Sequence, residues 1–232
     1  MIQENNVESY IYYDDDKKLF VNVYVTRENK FCRYYVLEDK ISKQISAYIS
    51  IKKDLLECLE SFEYLKSIIL LPQIPQNVKT SLLFAAIILY AKCFTSGEGR
   101  GTSIQKDEVF KKAKPKLSDF HSQTMDLRNK YLAHAGNSQH ETRAMVLILD
   151  PSEKKIERIV YAGMRLKDDD SNIDNYIELL NIVISHVSEK IEKLRIILNE
   201  NVSKLDIETI YKNSKLPEKD KLVPFNISTM KN

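Results

Sequence analysis

Tryptophan is absent from this chain, and its 232 residues include only five glycines, six prolines and three cysteines. So little glycine and proline argues against a loop-rich or all-turn architecture. Cys32, Cys58 and Cys93 are odd in number and lack metal-ligand or redox spacing, which suits buried thiols in a reducing compartment better than a disulfide framework. No strong excess of one charge exists either. A formal net charge of +2 does not by itself announce a nucleic-acid binder. The most apolar run, residues 81–91, is about half the length that spans a bilayer, so a buried core helix is expected there and no membrane partner. Residues 1–13 carry no basic region followed by an apolar core, so no signal peptide is expected. The expected location is cytoplasmic.

The composition that remains, 43% hydrophobic and 29% charged, is that of a soluble globular protein. The length allows one well-packed domain plus a smaller one. Residues 1–51 read as a small β-rich region. Tyr10 to Tyr13, Leu19 to Val25, Phe31 to Leu37 and Ile45 to Ile51 are dense in β-branched and aromatic residues, with turn signals at residues 14–16 and 27–30. They predict an antiparallel meander, serving as a structural cap, a dimer contact or a binding surface. From Lys52 the period changes. Leu55, Leu56, Leu59, Phe62, Leu65 and Ile69 recur at threes and fours, and Pro72 and Pro75 end that helix. A second helix over residues 77–94 is apolar on nearly every face, as the middle helix of a bundle would be.

Residues 95–103 hold three glycines within five positions, at 97, 99 and 101. The loop is no P-loop, because neither the Gly-Lys-Ser/Thr ending nor a preceding strand is there. Arg100 on it is either an ordinary loop residue or a phosphate contact. Between Arg100 and Lys130 stand eight basic and four acidic residues, a local excess of +4 that fits a solvated lysine-rich loop or an RNA-facing patch. The next helix begins near Pro115 and carries Leu117, Phe120, Thr124, Leu127, Tyr131 and Ala135 at spacings of three and four, with Gly136 and Asn137 as stops. Residues 143–150 and 155–166 predict a β-hairpin turning at 151–154. A long helix follows, with Ser171 as its N-cap and Ile173, Tyr176, Leu180, Val183, Val187, Ile191, Leu194 and Leu198 as its apolar positions. The tail from residue 213 is polar, holds Pro217 and Pro224, and reads as loosely ordered.

Chemistry is concentrated at the end of the helix from Pro115. Arg128 and His134 are six residues apart, which on an α-helix is about 120° around and about 9 Å along the axis. They sit on opposite edges of the apolar stripe, so one helix cannot close a site from both. Two copies related by a two-fold axis could. The carbonyl end of the helix favours a protonated His134. Plain structural roles are also open: His134 as a helix cap and Arg128 as the partner of Asp126. His140 and Glu141 with His134 do not match a helical zinc site, so neither a metal nor a cofactor is expected. His121 and His186 read as packing or surface residues.

An Arg followed by a polar residue, here Asn129, and then a His at the end of a bundle helix resembles the HEPN superfamily (higher eukaryotes and prokaryotes nucleotide-binding). The family's pattern places four to six residues between Arg and His, and five lie between Arg128 and His134. The resemblance covers residues 52–202. It implies an HEPN-like helical bundle over 52–212 in which the hairpin at 143–166 is an insertion; with the β-rich 1–51 and the tail 213–232 read above, the expected chain is α+β, mainly α. Many members are homodimeric, metal-independent endoribonucleases of toxin–antitoxin or antiphage defence systems. The resemblance implies RNA as substrate, Arg128, Asn129 and His134 as catalytic residues, and an antitoxin or defence-complex protein as a further partner; Arg100 on its glycine loop and Lys130 in the basic stretch are the expected RNA contacts. His134 would move protons at the 2′-OH or the leaving oxygen, and Arg128 would neutralise charge on the phosphorane. A non-catalytic RNA- or protein-binding module, a sensor or scaffold, is the alternative that the same residues allow.

Overall fold

Asp39 opens the first long helix: its carboxylate accepts from the backbone N–H groups of Ile41 and Ser42 at 2.8 and 3.0 Å, as an N-cap does. The helix, α1 (Lys40–Ile68), belongs to a computed structural model that describes residues 9–26, 28, 30–97, 100–111, 115–132, 141–152, 155–165 and 172–225. Among these the chain is α+β and about 60% helical, with six α-helices and two small antiparallel sheets. By backbone contacts it divides into two compact units, residues 1–42 with 197–232 and residues 43–196.

In the smaller unit, β1 (Ser9–Asp14) and β2 (Leu19–Tyr24) form a hairpin, and the third strand is β5 (Leu222–Phe225) from the C-terminal end, giving the order β2-β1-β5. The expected meander is therefore replaced by a sheet whose third strand is nearly the whole chain away in sequence. Residues 31–37 make only isolated bridges, Val25 to Phe31 and Tyr34 to Lys215. Residues 45–51 are helical, because Ile45, Tyr48 and Ile51 all bury one face of α1. Nor is the tail loose before residue 226. Lys215 reaches Asp14 at 3.0 Å, and the Tyr34 hydroxyl donates to the same carboxylate at 2.7 Å. Burial alone would raise the Asp14 carboxyl. The Tyr34 and Lys215 hydrogen bonds outweigh it and hold the group at about 2. Asp14 also accepts from the backbone of Asp16 and Lys17, closing the β1–β2 turn.

The larger unit holds the hydrophobic core. Ile51, Leu55, Cys58 and Phe62 of α1 pack with Leu83, Ala86, Ile87 and Tyr90 of α2 (Gln76–Phe94) and with Leu179, Leu180, Val183 and Val187 of α5 (Ile173–Val202). Phe62 stacks on Tyr176 at 4.4 Å. Where α1 ends, the buried Lys79 ammonium donates to the Ile69 carbonyl at 2.5 Å, satisfying a helix-end acceptor from the neighbouring helix. By length and composition α2 could cross a bilayer. Its buried face is instead part of this core, and Val78 and Ile88 on its other side are about half exposed, so α2 is not enclosed all round. Cys58 and Cys93 are buried and Cys32 is half-buried; burial pushes the Cys93 thiol up to about 12. A short helix that the sequence did not announce, α3 (Lys106–Phe110), precedes α4 (Pro115–Leu127). The hairpin of β3 (Glu141–Leu149) and β4 (Ile156–Arg165) lies where it was expected. Ser171 falls outside the described residues, and α6 (Ile207–Asn213) follows α5 with Asp206 as its cap.

Candidate functional site

The site is positioned by α4, whose inward residues fix it to the core. Leu117, His121, Thr124 and Leu127 are buried at helical spacing. The Thr124 hydroxyl donates to the Phe120 carbonyl at 2.9 Å, which lets a polar side chain lie almost fully buried. His121 is not at the surface. Its Nδ1 lies 2.7 Å from the Tyr90 hydroxyl, and the rings of Phe94 and Phe110 stand 4.5 and 4.9 Å away. Burial pushes the imidazole down to about 4, with the Lys106 charge adding to the effect, so His121 is neutral at neutral pH.

After Leu127 the helix changes character. Arg128–Leu132 is a π turn, in which backbone bonds run from i to i+5 instead of i to i+4. Such turns occur often where a helix carries function. The angular reckoning of 100° per residue therefore does not apply within Arg128–Leu132, and the separation of 120° expected between Arg128 and His134 involves a residue outside the described ones. Tyr131 anchors the turn to α2, its ring meeting Phe84 edge-on at 5.8 Å. Arg128 is half-buried, while Asn129 and Lys130 are exposed. The Arg128 Nη1 donates to the Asn129 side-chain oxygen at 2.9 Å. Asp126 takes Lys130 at 2.8 Å rather than Arg128. A half-buried, braced guanidinium and an exposed neighbouring amide thus lie side by side on the turn.

No known family model, curated protein or solved structure matches the chain. The case for the site accordingly stands on its own residues.

Arg100 is placed differently from Arg128. Its Nη2 is in contact with the Asp54 carboxylate of α1, which also takes Lys92 at 3.1 Å. The two groups are only 18% and 15% exposed, so Arg100 ties its loop to the helical core. Burial would raise the Asp54 carboxyl, and the hydrogen bonds from Arg100 and Lys92 lower it below the usual range. Lys106 donates to Ser122, and Lys112 and Lys114 lie outside the described residues, as do His134, Gly136, Asn137 and His140. His186 is 3.8 Å from Glu108, which pairs with Lys190. Among the described residues no group of three or more His, Cys, Asp or Glu side chains is arranged to hold a metal ion. Sequence reasoning missed the π turn and the Asp54 partner of Arg100. Neither has a local signal: the turn's residues are ordinary helix formers, and Asp54 is one polar position on a long amphipathic helix.

Proposed function

We propose that the protein is a metal-independent endoribonuclease of the HEPN type. It cleaves RNA through attack of the 2′-OH at a site shared by two copies, in a toxin–antitoxin or antiphage defence role in the cytoplasm. The observation that carries this reading is the Arg128–Asn129 pair on a π turn, with Arg128 six residues before His134 in sequence. The guanidinium has a rigid donor fork, and Asn129 holds one arm of it. That leaves the remaining donors to meet two phosphate oxygens at once. Charge that builds on a phosphorane is stabilised most by donors already in place. His134 supplies the proton transfer, as general base at the 2′-OH or general acid at the 5′-oxygen. RNA is the substrate because DNA lacks the internal nucleophile. Lys130 lies on the same turn and adds positive charge, though it is shared with Asp126.

The test is single-stranded RNA incubated with purified protein in EDTA. Fragments ending in 2′,3′-cyclic phosphate are expected, together with their loss in His134→Ala. Undiminished cleavage by His134→Ala would remove the assignment.

A further inference from the structure

The β3–β4 hairpin has two unlike faces. On one, three cross-strand pairs stand in a row: Met145 with Tyr161, Leu147 with Ile159, and Leu149 with Ile156. All six side chains are large and apolar, and each is 50–67% exposed. The bulge at Ile148/Leu149 keeps this set continuous, since it brings Ile156 rather than Glu157 opposite Leu149. The Tyr161 ring lies over Gly163, in the space a side chain there would fill, and so extends the apolar surface along the strand. The other face is mixed: Ala144 faces Ala162, Val146 and Val160 are half-buried, and the partly exposed Ile148 stands opposite Arg158.

A two-stranded hairpin is at best marginally stable in water without something against its apolar face. Six such side chains make a bare patch of several hundred Å², more than soluble monomers usually leave uncovered. We infer that this face is a homodimer interface, on which the hairpin of a second copy packs face to face. Two patches of this size bury about 1,000 Å² in total, the threshold at which an interface becomes specific. Stacked sheets sit about 10 Å apart with their strands nearly aligned, so a two-fold axis brings the same three pairs together from both sides. A second copy also matches in charge. None of the six side chains is charged, and the hairpin tip balances Asp150 and Glu157 against Lys155 and Arg158. No like-charge cluster is therefore forced together. That balance also lacks the basic collar by which an apolar surface is held to an anionic bilayer. From Ala144 to Leu149, β3 has neither a charge nor a proline to guard it, as expected of a strand that is covered in its working state.

The inference does not rest on the ribonuclease reading. A dimer that cleaves nothing leaves it standing, whereas an active protein whose mass ignores the hairpin refutes it alone. The experiment is light scattering on the full chain at micromolar concentration. The wild type is expected at twice 27.0 kDa. Leu147→Lys with Ile159→Lys is expected at the single-chain mass, with unchanged helical circular dichroism, because both side chains are exposed in one protomer. A milder pair, Leu147→Ala with Ile159→Ala, guards against misfolding and should raise the dissociation constant by about tenfold or more, each tenfold being 1.4 kcal/mol. A monomeric wild type would overturn the inference. So would a lysine variant that stays dimeric, or a monomeric wild type that floats with phosphatidylserine vesicles.

Discussion

In the proposed ribonuclease the chemistry falls to His134 and Arg128, yet His121 gives the cleanest test of the scaffold at the level of one residue. In the folded chain His121 titrates at about 4, against an ordinary 6.5. Between those values the unfolded chain binds the proton and the folded chain refuses it. Stability is therefore full above about pH 6.5 and falls as the pH drops toward 4, by about 3 kcal/mol across the window. Urea unfolding at several pH values should show that slope, and His121→Gln, which does not titrate, should flatten it. Asp14 acts at lower pH in the same direction: its contribution is present above about 3.8 and is lost as pH falls toward 2. Asp14→Ala leaves the Tyr34 hydroxyl without its acceptor and should cost about 1–3 kcal/mol. Without tryptophan, tyrosine emission is the natural probe of that unit.

At the scale of elements, the π turn and the pair that fixes it to α2 matter most. Phe84→Ala removes the edge-on contact with Tyr131, a contact of about 1 kcal/mol beyond its area. RNA cleavage should fall by about 10²-fold, because a small displacement of a positioned charge is expensive in rate, while the melting temperature moves by only a few degrees. Equal losses in rate and stability would place the turn among ordinary packing. The elements also show what the sequence could reveal. Leucines at threes and fours marked the body of α1, and alternating apolar runs marked the β3–β4 hairpin within two residues. Ile45 to Ile51 misled, because its residues satisfy both periods, but Asp39 before Ile41 and Ser42 was a readable helix start. β5 could not be read. It is four residues long, contains Pro224, which only an edge strand tolerates, and pairs with a strand some two hundred residues away. The π turn had no marker either, so Arg128 and Asn129 could be singled out in the sequence while the turn that carries them could not.

For the whole molecule the central expectation is that two copies make one active unit. If the cleft is shared, activity per protomer should fall as the protein is diluted through its dissociation constant. A dilution series of initial rates measures this, and a flat series would assign the chemistry to single chains. Mixing Arg128→Ala with His134→Ala protein should restore part of the activity when one cleft takes its Arg and His from different copies. The most direct measurement of the central claim is cleavage of one RNA oligonucleotide and of its match carrying a 2′-deoxy sugar at the scissile position, both in EDTA. The account predicts cut RNA ending in 2′,3′-cyclic phosphate and an intact deoxy-substituted strand. Cleavage of both strands alike would contradict it.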